Sequence, residues 1–197
     1  MVKFFQTEKG ELYMEMTMPR FRARDMAYIA VFTALLAVCS WITIPTPTRI
    51  DFTLQTLGVF LALGVLGGKR GTIAILAYLL LGLVGVPVFA GFSGGPGALL
   101  TPSGGYLIGF LFTGLLMWSL EKTLGSSAWA LGVRMVLGLA ICYAFGTVWF
   151  MTVYPMGGEA VGLWTALMWC VIPYLPFDGI KIVIALGLSA RLRSYVK

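Results

Sequence analysis

Asp178 and Lys181 are the side chains of this sequence best suited to hold a polar ligand. They stand three residues apart in Pro176-Phe-Asp-Gly-Ile-Lys181, within the last apolar run of the chain. On a helix that spacing brings both onto one face of a single turn. Pro176 at a first-turn position, with an acid beside it, suits a helix N-terminus. Ionisable groups at membrane depth are costly to bury and usually functional. The pair fits a ligand that needs an acceptor for its N–H donors and a cation for its carboxylate. The plainer alternative is a capping acid with a lysine that snorkels to the interface.

Other candidates cluster around it in type. Gln55 follows Asp51-Phe-Thr-Leu near one end of an apolar run, where an amide either hydrogen-bonds a ligand or joins two helices. Phe52, Phe89, Phe92 and Tyr106 can stack on a ring, and each equally suits a core or an interfacial belt. The stretch Pro87–Tyr106 carries six glycines and three prolines in twenty residues, with no charge, between two apolar runs. It cannot be one helix. In a membrane protein such irregular backbone is tolerated where it is buried in protein or lines a cavity, so it is expected to wall a small-molecule pocket. Gly104 and Gly105 would let backbone N–H groups at the next helix start face an anion, or would simply make a turn. Small residues at Ala30 and Ala34, and at Gly64 and Gly68, permit close helix contact, a spacing also common by chance.

The composition bounds what these residues serve. Hydrophobic residues make up 59% of the 197-residue chain and charged residues 11%, against about 45–50% and about 25% in soluble domains. Apolar runs separated by short polar punctuation indicate one compact polytopic helical membrane domain. They lack the alternation of outer-membrane barrel strands. The chain has no histidine, which excludes His-dependent zinc, haem and acid–base chemistry. Cys39, Cys142 and Cys170 lie far apart and form no disulfide or metal pattern. No phosphate-binding GxxxxGK[ST] loop is present, so any ATP hydrolysis must come from another subunit. The net charge of +6 suits membrane topology better than nucleic acid, which is not expected as a partner.

Six spans are expected, at residues 26–44, 53–66, 72–86, 106–120, 128–151 and 176–188, in an all-α bundle with both termini cytosolic. Residues 1–25 then form a cytosolic tail or an interfacial helix, 26–193 the transmembrane domain, and 194–197 the cytosolic C-terminus. A cleaved signal peptide is not expected, because no apolar core follows the first basic residues. Of the fourteen Lys and Arg, this arrangement leaves only Arg49 and Lys181 on the outer side, as the positive-inside rule favours. Residues 159–172 become an interfacial or re-entrant piece outside. Spans two to four have about 15 apolar residues, roughly 22 Å of helix against a core of about 30 Å. With their inner ends pinned by Lys69-Arg70 and Glu121-Lys122, the shortfall predicts a recess open to the outside. Local bilayer thinning is the alternative.

The run Asp51-Phe-Thr-Leu-Gln-Thr-Leu57, then Gly67-Gly-Lys-Arg-Gly71, Leu81-Gly-Leu-Val-Gly-Val-Pro-Val-Phe-Ala90 and Thr101-Pro-Ser-Gly-Gly-Tyr106, resembles the BioY family. These are the biotin-specific substrate-binding (S) components of energy-coupling factor transporters, and the likeness runs from about Ala27 to Arg193. The resemblance implies six transmembrane helices and a biotin pocket near the extracellular side. It also implies partnership with a transmembrane coupling (T) component and a pair of ABC-type ATPases, in the plasma membrane of a prokaryote, and toppling of the S component to release its ligand inside. Ala30 and Ala34 match the family's Ala-x-x-x-Ala signature that meets the coupling component. Asp178 and Lys181 match the acidic and basic pair that faces biotin. Asp178 is expected to accept from the ureido N–H groups, and Lys181 to pair with a ligand oxygen or hold Asp178 ionised. Phe52, Phe89 and Tyr106 would enclose the bicycle, with Gln55, Thr53, Ala90, Gly91, Gly104 and Gly105 completing the set. A longer charged N-terminal tail and Gly91, where an amide would be unsurprising, are the departures. Neither catalysis nor a cofactor is implied, since biotin enters as cargo. An S component for another vitamin, a lipid-modifying membrane enzyme and a structural membrane protein are the rival readings. The enzyme finds no nucleophile–base set.

Overall fold

The computed structural model describes residues 2–6, 12–16, 22–46, 50–125, 127–154 and 161–196, so Arg49 and Lys197 lie outside the described residues. The chain is mostly helical. Its helices are α1 (Ala23–Trp41), α2 (Gln55–Leu66), α3 (Gly68–Leu83), a short α4 (Pro96–Leu99), α5 (Gly104–Leu124), α6 (Ala128–Val153), α7 (Leu163–Cys170) and α8 (Leu175–Leu192). The N-terminal segment holds strands where an interfacial helix was one of the two expectations. Val2–Gln6 (β1) and Leu12–Met16 (β2) pair as an antiparallel hairpin, in the register Val2 with Met16.

By length and composition, α1, α5 and α6 are able to cross a membrane, and α7 with α8, bent by 50°, is a fourth candidate, either a broken span or a re-entrant piece followed by a helix. At 12 and 16 residues, α2 and α3 fall short of the usual span. The six apolar runs read from the sequence fall on six helices of 12 to 26 residues, with the fourth extended to 21 residues.

Local signals set the helix ends. Gly67 breaks α2 from α3 with φ of +82°, a conformation that costs glycine little. Close packing follows at once, because a Cβ on Gly71 would meet the Leu63 backbone at 2.7 Å. Asp25 accepts from the Arg22 N–H at 3.3 Å and pairs with Arg70 at 3.1 Å, tying the start of α1 to α3. Ser127 caps α6 by accepting from the Ala130 N–H. Pro176 sits in the first turn of α8, as expected of a residue without a donor. The core runs through the faces that α1, α2, α3, α5, α6 and α8 turn to one another, around Leu36, Ala62, Ile75, Met135 and Ala185. Thr43–Ile44 (β3) pairs with Phe52–Thr53 (β4), clipping the connection between α1 and α2 against the end of the bundle.

Candidate functional site

Three helix termini and two connections meet at that end of the bundle. The start of α2, the start of α8 and the start of α5 converge there, roofed by residues 84–103. Among them lies a cavity of about 400 Å³, within the range of small-molecule sites, about 300–1,000 Å³.

Its most polar corner is built on α8. Asp178 is 3% exposed and Lys181 8%. The Lys181 ammonium donates to Asp178 Oδ1 at 2.6 Å and to the Thr53 carbonyl at 2.8 Å. Tyr143, on α6, donates its hydroxyl to Asp178 Oδ2 at 2.6 Å. The acid and the cation are therefore mutually neutralised and oriented by groups from β4 and α6. A carboxylate has about four lone-pair sites and an ammonium three N–H donors. By that count Asp178 keeps two acceptor sites and Lys181 one donor, and both residues line the cavity.

A second polar group comes from α2. The Gln55 side chain donates to the Tyr78 hydroxyl at 2.7 Å and accepts from the Thr53 hydroxyl at 3.0 Å. Tyr78 in turn meets the edge of Phe89, with ring centroids 5.4 Å apart. Phe89 fits because Gly82 lacks a side chain, since a Cβ there would fall 2.0 Å from the ring. Tyr106 is seated in the same manner against Gly146. The connection that roofs the cavity is fastened at both ends. Trp41 donates its indole N–H to the Pro87 carbonyl at 3.0 Å, and Trp149 donates to the Thr101 carbonyl at 3.1 Å.

The sequence model of the BioY family matches residues 14–197. The chain belongs to the BioY family. A protein of Thermotoga maritima named biotin transporter BioY is 39% identical over 170 residues, covering 86% of this chain and 96% of that one. A biotin transporter BioY of Rhodobacter capsulatus is 36% identical over 178 residues, covering 85% and 92%. The fold is similar to the crystal structure of the S-component for biotin from an ECF-type ABC transporter. There the TM-score is 0.77 and the identity 30%, with 87% of this chain and 91% of that chain covered.

Of the positions the BioY motifs marked, Thr53, Gln55, Phe89, Ala90, Tyr106, Asp178 and Lys181 line the cavity. Phe52, Gly91, Gly104 and Gly105 do not. Phe52 stacks behind the wall on Tyr174, centroids 4.1 Å apart, and Tyr174 is itself a wall residue whose hydroxyl donates to the Ile50 carbonyl. Gly91 takes φ of +65° in the 3-10 turn Ala90–Phe92 and has open space beside it. Gly104 and Gly105 are contact glycines, whose Cβ atoms would strike Leu99 and the Trp149 side chain. The Gly104 and Tyr106 N–H groups are spent on the Thr101 and Ser103 carbonyls, which favours the turn reading over an anion cradle. Ala30 and Ala34 lie on the exposed side of α1 with Val31 and Val38, away from the core. Tyr143, Tyr174, Asp51 and Cys170 line the cavity without having been singled out. Tyr143 was the most findable, the one phenol in the longest apolar run.

Proposed function

We propose that this BioY protein captures biotin and serves as the substrate-binding component of an ECF-type transporter. The observation that carries it is the spare hydrogen-bonding capacity of the Asp178–Lys181 corner. A ureido ring presents N–H donors beside a carbonyl acceptor, the complement of two acceptor sites beside one ammonium N–H. Charge-assisted bonds of this kind are about twice as strong as neutral ones. The rest of the wall, with Phe89, Leu107, Phe110 and Leu139, suits the apolar thioether ring. Gln55 is engaged with Thr53 and Tyr78, so its part is to hold Tyr78 and the β4 strand in position rather than to stand in for an amide at Gly91.

In this reading α1, α2, α3, α5, α6 and α8 cross the membrane with both termini in the cytosol and α7 at the outer surface. The positive-inside rule and the cavity's place at the short ends of α2 and α3 support it. The exposed face of α1 around Ala30 and Ala34 would meet a T component, and paired ABC ATPases would supply the energy. The protein itself catalyses no covalent step. Mass spectrometry of small molecules released from purified protein, followed by a biotin titration of ligand-depleted sample, tests the ligand. Biotin near 1:1 with saturable tight binding is expected. Another vitamin keeps the fold and changes the specificity, and no binding at all overturns the reading.

A further inference from the structure

The cavity wall carries a second acid. Among the described lining residues the charged side chains are Asp51, Asp178 and Lys181, two negative charges against one positive. Asp178 and Lys181 neutralise each other, and Lys181 gives a further N–H to the Thr53 carbonyl. Asp51 is thus left as the uncompensated charge among the described wall residues. It is half-buried where Asp178 is fully buried, and one of its oxygens accepts from the Thr46 N–H at 3.4 Å. Asp178 therefore marks the floor of the cavity and Asp51 its mouth.

At neutral pH biotin has one charge, a carboxylate at the far end of a flexible aliphatic chain from the ureido ring. With the ring on Asp178, the chain leads toward the mouth, and acid meets acid where screening is weaker than in bulk water. We infer that Asp51 makes this site favour biotin amides with neutral or amine-bearing tails, biotinyl-lysine among them, over free biotin. Such amides are released when proteins that carry biotin on a lysine are hydrolysed, so peptide-bond hydrolysis is the class of reaction that supplies them. The inference rests on the biotin reading and adds the charge class of the tail.

The test compares biotin, biotinamide and N-(2-aminoethyl)biotinamide by calorimetric titration of the ligand-depleted full-length protein, as wild type and as Asp51→Asn. Wild type is expected to bind the amine-tailed amide at least as tightly as biotin. Asp51→Asn is expected to move the ratio of the two dissociation constants about tenfold toward biotin. Raising salt from about 0.05 to 0.5 M should compress the wild-type ratio, because the mouth is partly exposed. A ratio that neither the substitution nor salt changes overturns the inference and leaves biotin capture standing. If wild type binds none of the three, the biotin reading itself falls. Should Asp51→Asn not fold, the salt series on wild type decides.

Discussion

Two groups of ionised side chains lie at opposite ends of α8. Asp178 and Lys181 stand in its first turns, and Arg193 caps its end fifteen residues beyond Asp178, roughly 22 Å along the helix. At the Arg193 end, Glu121 accepts from the Gly68 N–H at 2.8 Å and faces Arg134 at 3.9 Å and Arg193 at 4.0 Å. Arg134 is 1% exposed and donates to the Ala130 carbonyl, while Arg193 donates to the Gly64 carbonyl at 2.7 Å. These charges are spent on the backbone of α2, α3 and α6. They join helix ends, and nearby backbones meet so closely that a Cβ on Gly68 would fall 2.5 Å from the Trp118 Cα. The Asp178 end has tighter ion-pair geometry, 2.6 Å, and opens on a cavity with donors and acceptors to spare. The difference teaches that burying a charge does not make a binding site. Unspent hydrogen-bonding capacity facing a cavity does.

The sharpest way to break this contrast is Lys181→Met. Removing one partner of a buried pair leaves an uncompensated charge, a loss of about 3–5 kcal/mol. Thermal unfolding in detergent should show that loss, and Asp178→Asn/Lys181→Met should recover most of the stability without recovering biotin binding. If the double variant binds normally, the pair is structural like its counterpart. Asp178→Asn alone leaves the buried Lys181 ammonium without its counter-charge, so it should lose a comparable ~3–5 kcal/mol of stability. It should also weaken biotin by about 1.5–3 kcal/mol, roughly 10- to 150-fold. Titration calorimetry and melting on the same sample separate the two effects.

Glu121→Gln should give the opposite pattern. Arg134 Nη2 already has no hydrogen-bond partner among the described residues, and losing the facing carboxylate should cost about 1–3 kcal/mol of stability. Biotin affinity should stay within about twofold, so a larger change would mean that the two ends are coupled. Tyr143→Phe is the mildest probe. It removes one hydrogen bond from Asp178 and should weaken binding by about 0.5–1.5 kcal/mol, roughly two- to tenfold, without unfolding the protein.

Much of the architecture was legible from local pattern. Apolar runs broken at Gly67, Pro87 and Glu121-Lys122 marked the helices, because helix formation and its interruption are decided within a few residues. Asp178 and Lys181 were legible for the same reason, as neighbours on one turn whose pairing needs no distant segment. The N-terminal hairpin was not expected: neither Val2–Gln6 nor Leu12–Met16 alternates strictly between apolar and polar residues, so its pairing leaves only a weak local signal. Gly104 and Gly105 left a turn and an anion cradle open. The choice lay in the N–H groups of Gly104 and Tyr106, taken by the Thr101 and Ser103 carbonyls, and the packing of Gly105 on Trp149 joins segments that no local spacing relates.

By itself, then, the chain determined a helical membrane protein, its breaks, its acid–base pair and, through its motifs, its family. Those properties depend on hydropathy, backbone conformational limits and residues adjacent along one helix. Only the tertiary structure decided that Tyr143 and the Thr53 carbonyl complete the corner, that Phe52 stands behind the wall, and that Asp51 sits in it. Each depends on which faces of separate helices meet. That is fixed by the packing of side chains such as Phe89 into the space left by Gly82, over distances in sequence that no periodicity spans.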